Sequence, residues 1–217
     1  MILFRLDASI RTEGSVTRQV ADTALDAWRK AHPGSEIVRR DLAAGPVPAE
    51  AWGDAVSAMG VPPEEQTARQ KEAVALASAL ADEVVAADAF LFAVPLYNYG
   101  VSQHFKSWVD LISTDPRLNV SGPKPLRGRP ATLVTARGGG YGPGTPREGW
   151  DHATPWLVRY LRDVFELDLK VTEAELTLAE VTPAMAELRG LAKESLENAH
   201  RTADVHGRYL ADRVGAA

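Results

Sequence analysis

The sequence of 217 residues contains no cysteine. Disulfides, thiolate metal ligands and a cysteine nucleophile are therefore excluded. Histidine is scarce. The five histidines (His32, His104, His152, His200 and His206) include no His-Glu-x-x-His spacing, so no metal site is expected. His32 falls at a helix end and His200 and His206 on the last helix, where solvent-exposed positions are expected; His104 opens the helix after the central turn and is expected to be solvated too. There is no Gly-x-Ser-x-Gly elbow. No apolar run approaches the ~20 residues of a membrane-spanning helix. The opening Met1-Ile2-Leu3-Phe4-Arg5-Leu6-Asp7 reads as a strand entering a loop rather than as a targeting segment. A cytoplasmic protein with no membrane association is the expectation. A basic stripe is also lacking: the net charge is −5 and evenly spread, so nucleic acid is not an expected partner.

What is present is an alternation of short apolar runs and amphipathic stretches. Ile2–Leu6, Glu36–Asp41, Ala89–Val94, Ala131–Thr135 and Leu169–Leu178 read as five strands. Ala89-Phe90-Leu91-Phe92-Ala93-Val94 shows no polar alternation, the pattern of a strand covered on both faces. Helices are expected from Ser15 to Ala31, from Pro63 to Ala87 with Val74, Ala77, Leu80, Ala81, Val84 and Val85 inward, and from the central turn to Ser113. Another should place Leu157, Tyr160, Leu161, Val164 and Phe165 inward, and a last one should run from Pro183 to Val214. Strands alternating with helices predict a parallel sheet with right-handed crossovers. Five strands in about this length suit a flavodoxin-like α/β sandwich of strand order 2-1-3-4-5 with helices on both faces, and residues 1–217 are expected to form one domain.

Three loops would follow strands that are neighbours in that order. The first carries Ser9 and then Ser15-Val16-Thr17 at a helix start, hydroxyls and free amides suited to a phosphate; Ser15 as a plain N-cap is the simpler alternative. It is neither a Walker loop nor Gly-x-Gly-x-x-Gly. The second is the turn Pro95-Leu96-Tyr97-Asn98-Tyr99-Gly100, with tyrosines and an amide for a flat ring and Gly100 to free the backbone; ordinary turn chemistry with aromatics folded onto the core also explains it. The third is Ala136-Arg137-Gly138-Gly139-Gly140, whose glycines allow close backbone approach and which alone reads as a surface turn. Together they fit a mononucleotide with a broad flat base, for which FMN is the natural candidate.

These same residues resemble the FMN-dependent NADH-azoreductases, also described as FMN-dependent NADH:quinone oxidoreductases, of the flavodoxin-like superfamily. Pro95-Leu96-Tyr97-Asn98-Tyr99 matches the family's Pro-Met-Tyr-Asn-Phe turn, and Ala136-Arg137-Gly138-Gly139 its Ser-Arg-Gly-Gly loop. Ser9 and Ser15-Val16-Thr17 match its phosphate grip. Departures are Leu96, Tyr99, Ala136 without a hydroxyl, Asp163-Val164-Phe165-Glu166 in place of Gly-Phe-x-Gly, and no aromatic in Arg117-Leu118-Asn119-Val120. The resemblance implies that NADH or NADPH passes a hydride to flavin N5 and is replaced by a quinone or azo compound. It also implies a homodimer. The cofactor carries the chemistry, so no side chain is assigned as a catalytic acid or base. Residues 42–63 and 114–130 are expected to wall a substrate pocket. A flavodoxin-type electron carrier and a flavin-free binding or regulatory domain remain alternatives. The physiological acceptor and the choice of NADH or NADPH stay open.

Overall fold

The computed structural model describes residues 1–215. Its centre is a parallel sheet of β1 (Ile2–Asp7), β2 (Glu36–Asp41), β3 (Ala89–Ala93), β6 (Pro130–Ala136) and β7 (Asp168–Ala174), in the order β2-β1-β3-β6-β7. This is the expected 2-1-3-4-5 arrangement once a small hairpin, β4 (Leu96–Tyr97) and β5 (Gly100–Val101), is set aside. The alternation of strand side chains divides the core. Phe4, Leu6, Phe90, Phe92 and Leu133 pack under α3 (Ala68–Ala86) and α4 (Gln103–Ile112). Leu3, Ala89, Leu91, Ala93, Val134 and Ala136 face α1 (Val16–Ala31) and α6 (Arg189–Gly215). The second face is alanine-rich, and it lets α6 lie directly on α1.

Boundaries moved where local chemistry outweighed periodicity. The helix expected from Pro63 begins at Ala68, because Thr67 and Gln70 form a reciprocal capping box there. Within it Ala73, not Val74, lines the core; Val74 is exposed. Residues 42–63 contain one short helix, α2 (Ala51–Ser57). The helix with Leu157, Leu161 and Phe165 buried starts as α5 (Thr154–Val158) and continues as a π-helical segment, Arg159–Val164, in which the Phe165 N–H reaches the Tyr160 carbonyl at 2.9 Å. Glu166 then takes a left-handed φ of 58°, the conformation a glycine would adopt at that helix end. A 3₁₀ turn, Pro183–Leu188, precedes α6.

The strand expected over 169–178 stops at Ala174, and Leu176 has a left-handed φ of 60°. The histidines are also less exposed than expected. His32 Nε2 lies 3.0 Å from the Ala211 carbonyl, His200 Nδ1 2.7 Å from Thr23 Oγ1 and His206 Nδ1 2.9 Å from Thr172 Oγ1. They tie α6 to α1 and β7. Burial, and then the charge of Lys170, keep the pKa of His206 below its ordinary value.

Candidate functional site

The first loop leaves β1 over a ladder of buried charge. Arg5, 1 % exposed on a central strand, donates to Asp7 at 3.0 and 3.1 Å and also pairs with Asp22. Burial alone would lower its pKa, but the two carboxylates raise it above the ordinary value. Arg18, in the first turns of α1, reaches Asp41 at the end of β2 at 2.6 and 2.8 Å and donates to the carbonyls of Ser9 and Arg11 at 3.0 and 3.1 Å. The Arg18 hydrogen bonds hold the Asp41 carboxyl below the usual carboxylate range. Both ends of the loop are thereby tied to the sheet.

At the start of α1, Ser15 is the N-cap: its Oγ accepts from the Arg18 N–H at 3.4 Å and lies 3.1 Å from Thr17 Oγ1. Ser15 and Thr17 are both buried. The amides of Val16 and Thr17 precede the first helical hydrogen bond, so the helix supplies them no acceptor. The N-cap role and a phosphate grip are therefore compatible, because the cap satisfies Arg18 and leaves the two amides before it.

The second loop is a two-residue hairpin. Tyr97 pairs with Gly100, and Asn98 and Tyr99 at the tip have φ of 48° and 66°, the left-handed pair of a type I′ turn. Gly100, expected to free the backbone, has no positive φ; the strained position falls on Tyr99 instead. Tyr99 is held from three sides. Its carbonyl accepts the His152 N–H at 2.9 Å, and its ring packs edge-to-face on Trp150 at 5.3 Å and on Tyr141 at 6.2 Å. Tyr97 points the other way. Its hydroxyl is 3.2 Å from Ser9 Oγ and accepts the Ile10 N–H at 3.2 Å, which joins the first and second loops.

The third loop follows β6. Three of its carbonyls are taken by the segment that sequence periodicity assigned to a strand: Arg137 O accepts from Thr177 N–H, Gly138 O from Leu178 N–H and Gly139 O from Leu176 N–H, at 3.1 to 3.3 Å. The amides of Gly138, Gly139 and Gly140 have no acceptor among the described residues. A Cβ on Gly138 would lie 2.6 Å from Leu178 Cδ1, so a larger residue there would push the Leu178 side chain away from this loop. The Arg137 side chain is buried away from the opening. It bonds Asp151 at 2.6 Å and pairs with Glu173 at 2.7 Å and Glu175 at 3.5 Å. Burial alone would raise the Asp151 pKa, but the Thr154 amide and Arg137 outweigh it and keep the carboxyl below its usual range.

A cavity of about 190 Å³ opens where these loops meet. Ser9, Ser15, Val16, Thr17, Pro95, Leu96, Tyr97, Ala136 and Gly138 line it, all read from the sequence as binding residues. Arg11, Gly14, Thr177 and Leu178 line it too and were not among them; the left-handed turn that brings Thr177 and Leu178 there has no glycine to announce it. Asn98, Tyr99, Arg137 and Gly139 do not line the cavity. Nor do residues 42–63 and 114–130, expected as pocket walls. The second stretch lies at the other end of the sheet, where Arg129 bonds the Val85 and Ala87 carbonyls and Gly128 N–H bonds Glu166 O. The altered 163–166 segment lies at that far end too.

Residues 1–196 match the model of a family described as having a flavodoxin-like fold. The chain is 44 % identical over 195 residues to an FMN-dependent NADH:quinone oxidoreductase of Frankia casuarinae, covering 89 % of this chain and 92 % of the relative. It is 37 % identical over 215 residues to one of Streptomyces avermitilis, covering 99 % of each. Among solved structures it resembles azoreductase AzrA, with a TM-score of 0.76 at 18 % identity over 96 % of this chain and 100 % of that one. An FMN-dependent NADH-azoreductase from Bacillus anthracis in complex with FMN gives a TM-score of 0.76 at 17 % identity over 97 % and 98 %.

Proposed function

The chain belongs to the flavodoxin-like family, and from that premise we propose that it is an FMN-dependent NADH:quinone oxidoreductase that also reduces azo compounds, as the names of its relatives and structural neighbours indicate. One observation of the site carries the reading. Val16 and Thr17 on one side, and Gly138 on the other, contribute amides without an acceptor to the lining of a single cavity. A ligand with an anionic end and an acceptor-bearing edge satisfies both, and FMN has both.

In this reading Ser15, Thr17 and the Val16 and Thr17 amides hold the phosphate, with the positive end of α1 behind them. Ser9 and Tyr97, joined through their hydroxyls, fix the path between phosphate and ring. Pro95, Leu96 and Ala136 give the ring an apolar seat, and Ala136 offers it no hydroxyl bond. The Gly138 amide stabilises negative charge along the ring edge by its fixed backbone dipole, with the Gly139 amide next to it outside the cavity lining. Asn98 and Tyr99 belong to the rim of the cavity, and Arg137 acts by anchoring the wall at Asp151. When bound, FMN would supply two-electron chemistry between NADH and a quinone or azo acceptor. The whole of residues 1–217 serves as one FMN-binding domain. The purified protein mixed with FMN and gel-filtered should retain an oxidised-flavin spectrum that NADH bleaches in the absence of oxygen. Protein that emerges colourless would overturn the reading and favour a flavin-free binding domain. A flavodoxin-type carrier would retain flavin but not turn over NADH with a quinone.

We also propose a homodimer. Trp52 and Val56, four residues apart on α2, and Met59 just beyond it are 51 %, 43 % and 57 % exposed, an apolar stripe that a second copy would cover. Light scattering should give twice the chain mass for the parent and the chain mass for Trp52→Glu. A parent of chain mass would refute the dimer.

A further inference from the structure

A larger cavity, of about 580 Å³ against about 190 Å³ for the one between the three loops, lies farther along the glycine loop. Gly140 lines it, two residues beyond Gly138, yet the two cavities share no lining residue. Its other walls are the end of β7 with the turn after it (Glu173, Glu175 and Leu176) and the first turns of α6 (Leu191, Glu194 and Ser195). These walls are fixed to one another. The Glu175 N–H donates to Ser195 Oγ at 2.8 Å, the Tyr141 N–H to Glu175 Oε1 at 3.1 Å and the Leu176 N–H to Gly139 O at 3.2 Å. The concavity is therefore built by the fold, and its volume is that of a small-molecule site.

Two features of the lining describe an occupant. The first is apolar surface that no core residue covers. Along α6, Ala192, Ala199 and Ala203 are buried. Leu191 stands off that face, 56 % exposed, and lines the cavity together with Leu176 and Leu188. The second is unbalanced charge. Arg137, buried behind the lining, carries one positive charge against three carboxylates, Asp151, Glu173 and Glu175, so two negative charges are in excess. Glu194 adds a further carboxylate from α6, and no lysine, arginine or histidine lines the cavity. A concave wall of one charge sign concentrates counter-ions. A bare metal ion does not fit, because no group of three acidic or histidine side chains among the described residues could hold one. An ammonium group on an apolar body answers both features.

We propose that this cavity is a second small-molecule site, selective for organic amines. The ammonium group lies among Glu173, Glu175 and Glu194, and the apolar body rests on Leu176, Leu188 and Leu191. The site stands independently of the oxidoreductase reading, because none of its lining belongs to the flavin cavity.

The test is isothermal titration calorimetry of the purified protein with three probes of one shape: 4-phenylbutylamine, 4-phenylbutanol and 4-phenylbutyrate. The amine should bind saturably, one per chain, with a Kd about tenfold below that of the alcohol, the worth of one charge-assisted contact. The carboxylate should bind more weakly than the alcohol. Glu194→Gln should remove most of the preference for amine over alcohol. Leu191→Ser should weaken both alike. Both substitutions fall on exposed positions of α6, so the fold is kept. Equal Kd values for amine and alcohol, amine binding undiminished in both variants, or no saturable heat from any probe would each overturn the site.

Discussion

Thr17→Asp is expected to abolish FMN retention while leaving the apoprotein folded. Thr17 is the second residue of α1, and a carboxylate in the first turn of a helix is favourable by about 0.3–1 kcal/mol. Thr17 is buried, so the dipole and the free Val16 and Thr17 amides offset part of the cost of a carboxylate there, and the apoprotein is destabilised but folded. For a bound phosphate the cost is larger. One hydroxyl donor is lost, and a negative charge is fixed beside a dianion. A lost charge-assisted hydrogen bond and a like-charge repulsion at intermediate dielectric sum to about 4 kcal/mol, roughly a thousandfold in Kd. Thr17→Val, which removes the donor without adding charge, should cost about tenfold. Flavin titration followed by absorbance, with thermal unfolding of the apoprotein alongside, separates affinity from fold. Unchanged affinity in both variants would mean that the start of α1 does not hold the phosphate.

The second large effect lies far from the cavity. Gly207→Ala should destabilise the fold by about 3 kcal/mol or more. A Cβ at Gly207 would stand 2.2 Å from the Ala24 carbonyl oxygen and 2.8 Å from Ala27 Cβ. The first obstacle is backbone in the middle of α1, so relief requires moving one helix off the other. The alanine face of the sheet beneath them (Ala89, Ala93, Ala136) has no slack to give. Alanine is the better helix former, so a rise in stability would show that the α1–α6 contact is looser than this packing. The denaturation midpoint in urea decides between the two, with the m-value reporting whether the transition remains a single step.

The strand order and the cavity's main lining were legible because their signals are local. Phe90, Leu91 and Phe92 announce a strand covered on both faces without reference to the rest of the chain. Ser15 before a helical pattern announces a cap and free amides. Glycines after Thr135 announce backbone that something can approach. Tyr99 shows the limit of this kind of reading. Its turn was recognised, but glycine was expected to bear the unusual dihedral, and the carbonyl bond from His152 holds a tyrosine there instead. Leu178 shows it again. Its apolar character extended the strand pattern, whereas Leu176 turns the chain back under the glycine loop.

By itself the sequence determined which segments become strands and helices and which three loops carry hydroxyls, tyrosines and glycines, because backbone dihedrals and periodic burial depend on near neighbours. Only the tertiary structure decided what the side chains at those loops do. Arg137 was read as part of a binding loop, and its side chain is an internal anchor, because folding brings Asp151, Glu173 and Glu175 to it. The charge of an arginine is a property of its residue type; whether that charge is already neutralised depends on residues distant in the chain, and only their packing settles it.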